Sequence, residues 1–310
     1  MTSLAPTVSA SDSCQASPYD EEVGTPTPPA KHHLTRRTFL ALSAASLGGL
    51  ALYAGEISRH ELSIEEHNIH LARLPDAFRG MRIVQISDFH YAEYTEPYFL
   101  KEMVRQVNRL RPDMVVLTGD FVSFGPMPRS FGRAHAPECA AIMSEIECPL
   151  RYAILGNHDC IIGAQYVAEP LREQGIPVLF NTAVALERDG QRLWLAGLGS
   201  ICTDESYPEH AIPRAAVSGG EPVIVLAHEP DILPEIAKFK ADLMLSGHTH
   251  GGQVRLPFLP PLQLPEFGKD YVEGLFRHGP TQLYVNRGIG AVGVPFRFRC
   301  PPEITVLTLT

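Results

Sequence analysis

Beyond residue 60 the chain alternates short apolar runs with stretches of helical period. Residues 82–87 and 113–118 are β-branched-rich runs with no polar face to turn to solvent, and read as buried strands. Between them, residues 96–110 set Phe99, Leu100, Met103, Val104, Val107 and Leu110 on one helical face, and Pro112 ends that helix. The pattern continues with helices at 137–147, 164–174 and 231–239 and strands at 151–155, 177–180, 222–227, 241–246, 282–286 and 303–309. Residues 183–187 and 192–196, joined by Arg188-Asp189-Gly190-Gln191, predict a hairpin. No internal repeat or linker interrupts this region, so one α/β domain over residues 56–310 is expected.

The N-terminal fifth differs. Residues 1–35 are rich in Ser, Thr, Pro and Ala with little apolar period, and are expected to be disordered. Arg36 and Arg37 then precede an Ala/Gly/Leu stretch without charge until Glu56. Paired arginines before such a segment, residues 36–55, resemble a twin-arginine export signal or a membrane anchor. A protein cleaved near Ala51 and one anchored to the inner membrane both fit. Either way the expected place is the periplasm or cell envelope, reached through the twin-arginine export machinery.

A net charge of −9 provides no global field for nucleic acid, and none is expected as a specific partner. The six cysteines form no CxxC pair, so a thiolate zinc site is not indicated. The cysteines read as buried or unremarkable thiols; the sequence permits a Cys139–Cys148 disulfide but does not indicate one.

Five polar clusters each follow an apolar run, and so fall on loops at strand ends: Asp88-Phe89-His90, Gly119-Asp120, Gly156-Asn157-His158-Asp159, His228, and Gly247-His248-Thr249-His250. Asp88, His90, Asp120, Asn157, His228, His248 and His250 are candidate metal ligands. Their mixed nitrogen and oxygen donors suit two divalent ions, manganese before iron or zinc, and disfavour calcium or copper(I). Two such ions, two carboxylates and a bridging hydroxide sum to about +1, a charge suited to one phosphoryl group. His158, next to a ligand, is expected to donate a proton or stabilise charge on the leaving oxygen, with Asp159 holding its ring. One histidine alone is more often structural; the group as a whole is not explained that way. The remaining histidines lack such a context.

These residues resemble the calcineurin-like metallophosphoesterase superfamily, whose D-x-H, G-D, G-N-H-D/E, H and G-H-x-H blocks appear in order over about residues 80–310. The resemblance implies a four-layer α/β/β/α sandwich with metals at the strand ends. It also implies one ion on Asp88, His90, Asp120 and His250 and a second on Asp120, Asn157, His228 and His248. The Gly247–Gln253 run, the Gly288-Ile289-Gly290 turn and Pro301-Pro302-Glu303 further resemble the exported YkuE/YaeI-like phosphodiesterase subgroup. Cys160 stands where that subgroup often has an aromatic residue.

Gly288-Ile-Gly-Ala-Val-Gly293 matches a dinucleotide fingerprint in spacing, but Pro295 and Pro301-Pro302 occupy the place of the required helix. It reads instead as a glycine loop near the metal cleft, with Arg297 either meeting substrate phosphate or making an ordinary surface ion pair. Residues 254–276, with Leu256, Phe258, Leu259, Leu262, Leu264 and Phe267 among several prolines, read as a packed loop or as an apolar lip beside His250. The function expected is an exported phosphoesterase acting on phosphodiester or pyrophosphate bonds of small-molecule or lipid-linked substrates. The alternatives are a pyrophosphatase of UDP-diacylglucosamine-type lipid precursors and a non-catalytic metal-binding module.

Overall fold

The computed structural model describes residues 35–125 and 127–310. The chain forms two units, Met1–Ala45 and Ser46–Thr310. The expected disorder of residues 1–35 falls outside the described residues except at Thr35. The first helix, α1, covers Arg36–Leu52 and buries no side chain. It continues through Tyr53–Ile57 and Ser58–His60 as looser and tighter turns.

Among the described residues eleven strands follow: β1 (Ser63–Ile69), β2 (Arg82–Ile86), β3 (Met114–Leu117), β4 (Arg151–Ala153), β5 (Thr182–Arg188), β6 (Gln191–Gly197), β7 (Val223–Leu226), β8 (Leu243–Ser246), β9 (Gly274–His278), β10 (Thr281–Val285) and β11 (Glu303–Leu309). They form two mixed sheets, ordered β1-β11-β2-β3-β4 and β5-β6-β7-β8-β10-β9. The helices are α2 (Pro97–Leu110), α3 (Arg129–Ser144), α4 (Asn157–Gly163), α5 (Gln165–Glu173), α6 (Pro208–Ala211), α7 (Arg214–Ser218) and α8 (Leu233–Lys238).

Strand alternation decides the layers. In β3, Met114 and Val116 join the core between the sheets, while Val115 and Leu117 face α2, α3 and α5. In β7, Ile224 and Leu226 point to the same central core, and Val223 and Val225 to Leu233 and Ile236 of α8. Three cores separate four layers, as the resemblance implied. Because both of their faces are covered, β3 and β7 are apolar throughout.

Two buried amides cross between the sheets near the strand ends. Gln85 Nε2 donates to Ser246 O at 2.9 Å, and Asn286 Nδ2 to Thr305 Oγ1 at 2.7 Å. Such contacts fix the relative height of the two sheets, and with it the loops that leave them.

Some expected elements shift. The helix expected at 137–147 begins at Arg129 and runs through Pro137, whose missing N–H costs one bond. Residues 177–180 make only the single bridge Ala153–Val178, since Pro177 cannot donate to a ladder. The described cysteines, Cys139 and Cys148 among them, are free thiols.

Candidate metal centre

The loops after β2, β3, β4, β7 and β8 converge, and bring all seven candidate ligands together. Much of this loop backbone is left-handed. Asp88 (φ 55°), His90 (44°), Asp120 (55°), His248 (73°) and His250 (50°) all take positive φ. Non-glycine residues rarely hold that conformation, and several in one place mark a site whose surroundings impose it. Close packing of the loops also requires two glycines. A Cβ on Gly156 would strike Asp120 Oδ1, and one on Gly247 would strike Ser87 Oγ and Asp88 Oδ2.

Each carboxylate is held from behind by a neighbouring loop. The His248 amide donates to both oxygens of Asp88 at 3.0 Å, and the His158 amide to Asp120 Oδ1 at 2.9 Å. The imidazoles are anchored likewise. His228 Nδ1 donates to Thr118 O at 2.7 Å, and His248 Nε2 to Glu266 O at 2.7 Å. His90 Nδ1 meets Ser123 Oγ at 2.9 Å. Such partners fix which ring nitrogen faces inward.

What faces inward is a concentration of lone pairs. His228 Nε2 is buried with no hydrogen-bond partner, 3.2 Å from Asp120 Oδ2. His248 Nδ1 lies 3.1 Å from Asn157 Oδ1. His90 Nε2 lies 2.9 Å from His250 Nε2, which is 3.4 Å from Asp88 Oδ1. His228 Nε2 without a partner, and His248 Nδ1 facing the oxygen of Asn157 as one acceptor against another, are what a cation among them would satisfy, so the residues fit a metal centre. Asp88, His90 and His250 form one cluster and Asp120, His228 and His248 another. Asp120 Oδ2, 3.6 Å from His90 Nε2, joins the two.

Burial pushes His90 and His250 well below the usual imidazole range, with the Arg297 charge adding to the effect at His250; burial and His228 lower His248. Each is thereby held in the neutral form that binds metals. Burial alone would lower His228 too, but Asp120 and Asp88 override it and raise the ring well above its usual range. Burial opposes ionisation of Asp120, yet His228 holds it well below the carboxylate range. A proton thus takes the position where the carboxylates call for a cation.

His158 lines the pocket with its ring 4.8 Å, centroid to centroid, from that of His90. The expected tie to Asp159 is corrected. Asp159 is fully buried and accepts the amides of Phe121 and Val122 on one oxygen and that of Gly156 on the other. It joins the Asp120 loop to the Asn157 loop. Burial and Asp120 push its pKa up to about 8 against the pull of those amides. The His158 ring is held instead by the Phe124 amide.

Arg297 is also corrected. It is completely buried, and its guanidinium donates to the carbonyls of Gly290, Cys300, Arg287 and Gly288. One nitrogen lies 3.3 Å from His250 Nδ1, on the side away from the ligand cluster. It supports the loop behind His250 and does not line the pocket. Backbone groups such as Phe124 N, Thr118 O and Glu266 O carry no residue-type signal, and sequence reasoning missed them. Gln253 was visible within its motif, and its amide clamps Val292 and Val294.

The family model for the calcineurin-like phosphoesterase matches residues 81–252, which hold every candidate ligand. The chain belongs to this family. It is a metal-dependent phosphoric ester hydrolase. Among its relatives, the uncharacterized metallophosphoesterase YkuE of Bacillus subtilis is 35% identical over 89% of this chain and 98% of its own length. Phosphodiesterase YaeI of Escherichia coli is 30% identical over 89% and 99%. The UDP-2,3-diacylglucosamine pyrophosphatase LpxG of Chlamydia muridarum is 30% identical over 76% and 86%. The phosphoesterase thus shares nearly its whole domain with proteins named for diester and pyrophosphate cleavage.

Proposed function

We propose that this phosphoesterase hydrolyses phosphodiester or pyrophosphate bonds of cell-envelope substrates with two divalent ions, manganese before iron or zinc. The observation that carries the reading is Asp120 Oδ2, which lies between His228 Nε2 at 3.2 Å and His90 Nε2 at 3.6 Å and so joins two ligand groups. Asp88, His90, Asp120 and His250 would hold one ion; Asp120, Asn157, His228 and His248 would hold the other. Bound there, the pair supplies Lewis acidity, an activated water and a clamp on phosphoryl oxygens.

The remaining chemistry belongs to the chain. His158 Nδ1 accepts a backbone N–H, so the neutral ring keeps its proton on Nε2. That nitrogen donates a hydrogen bond to a phosphoryl or leaving oxygen, and charge stabilisation is its role. Asp159 keeps His158 and Asp120 in one rigid frame.

Export is supported by Arg36 and Arg37 at the start of a helix, Arg36–His60, that is 25 residues long and apolar enough to cross a membrane. An envelope location makes lipid-linked phosphoesters accessible, and the name of LpxG specifies such a substrate for that relative. The test is hydrolysis of bis-p-nitrophenyl phosphate by the manganese-loaded protein, before and after chelation, with metal counted per chain. Turnover that persists without metal, or neither bound metal nor turnover after incubation with manganese, would overturn the proposal.

A further inference from the structure

The metal pocket has two unlike walls. One carries the ligands and His158; the other carries Val254, Leu262, Pro265, Val292 and Val294 around a cavity of about 540 Å³. A phosphoryl group needs only the first wall. The second continues outward into the proline-rich loop, where Leu259 and Leu262 are more than half exposed. Phe258 is fully exposed on a backbone turn of φ 66°. A phenylalanine held out in that conformation loses both burial and backbone ease, which a purely aqueous surface does not return.

A second observation, independent of the first, concerns the helix that precedes the domain. Its last turns are built into the loop beside the pocket. The Tyr53 ring meets that of Phe298 edge-on at 6.4 Å, Ala54 O accepts the Arg297 amide at 3.0 Å, and Gly55 lies against Phe296. The same strip turns back to the lip, because Arg255 N donates to Phe298 O at 3.0 Å and Val254 bridges Phe298. Val292 and Val294, just before it, are pocket wall. The preceding turn of the helix shows Leu47, Leu50 and Leu52 to solvent. Residues 295–298 therefore fasten the end of an uncovered apolar helix to the apolar wall of the catalytic pocket.

We propose that the pocket mouth opens onto the lipid bilayer in which this helix is embedded. Its substrate is a lipid-linked phosphoester whose alkyl chain lies along Val254, Leu262, Val292 and Val294 while its phosphoryl group meets the metal centre. Phe258 and Leu259 dip into the bilayer at the rim. The inference rests on the phosphoesterase reading and narrows its substrate class.

The test uses the full chain, manganese-loaded and reconstituted in phosphatidylglycerol vesicles. Two chromogenic diesters differing only in the alkyl group are compared: p-nitrophenyl hexadecyl phosphate in the vesicle and p-nitrophenyl ethyl phosphate in solution. The long-chain ester should be preferred by about tenfold or more in kcat/KM, the value of two methylenes buried. The double variant Phe258→Ser/Leu259→Ser should lose most of that preference and cleave the ethyl ester within about twofold of the parent, where twofold is only about 0.4 kcal/mol. The helix keeps both proteins on the vesicle, so the loss would report the rim rather than recruitment. No preference in the parent, or an equal loss on both esters in the variant, would overturn the inference. Absence of metal-dependent turnover on either ester would instead remove the catalytic reading beneath it.

Discussion

The backbone N–H of Phe124 donates to His158 Nδ1 at 2.7 Å. A ring nitrogen that accepts an amide hydrogen cannot also carry a proton, so His158 works as a neutral donor through Nε2. His158→Ala should lower kcat by about 10²–10³, the usual cost of one preorganised donor. His158→Gln, whose amide can offer an N–H near the same place, should recover about tenfold of that loss. Equal rates for the two variants on an alkyl leaving group would refute a donor role.

Asp159 accepts three buried amides from two loops. Asp159→Ala leaves those donors unpaired, and should cost about 3 kcal/mol or more of stability. Because the loops carry Asp120 and Asn157, metal retained per chain should fall as well. Urea unfolding and metal analysis on the same sample read both effects; unchanged values for either would show that the tie is dispensable.

Acid should destabilise the metal-free protein through its neutral histidines. His90, His248 and His250 have folded pKa values below their unfolded values. Below about pH 6.5 the unfolded chain therefore binds protons that the folded one does not, and stability falls by up to about 1.4 kcal/mol per pH unit for each group. His228 is shifted the other way, so its contribution is complete below pH 6.5 and is lost only as the pH rises through its folded value. The urea midpoint in chelator should drop between pH 6.5 and 5, less steeply in His90→Gln. A flat midpoint would count against the neutral-ligand picture.

Arg297 separates support from substrate contact. Arg297→Lys replaces a planar fork that serves four carbonyls, and should cost about 2–4 kcal/mol. Inhibition of the surviving folded enzyme by inorganic phosphate should not change. Weakened phosphate inhibition with normal thermal stability would return Arg297 to the pocket.

Legibility in the sequence followed apolar burial. Strands β2, β3, β7 and β8 announced themselves because both of their faces are covered. Strand β1 did not, since its inward positions Glu65 and His67 are polar and bond to Arg287 and Tyr284. Its exposed Ile64 inverts the usual alternation. Strand β9 is an edge with mostly exposed side chains, and its pattern is equally mute.

Metal ligation demands particular side chains, and the end of a strand is where a loop can deliver them. The residue types at five strand ends were therefore sufficient to specify a phosphoesterase-type metal centre. What each supporting residue does was not determined locally. Asp159 turned to three amides, His158 to Phe124 N, and Arg297 to carbonyls behind His250, because backbone donors and acceptors there could be satisfied only across loops distant in sequence. The tertiary structure alone brought the end of the apolar helix to the wall of the pocket, since that contact depends on how residues 295–298 return to the lip. Sequence order carries the chemistry of single residues; only folding decides which unsatisfied groups meet.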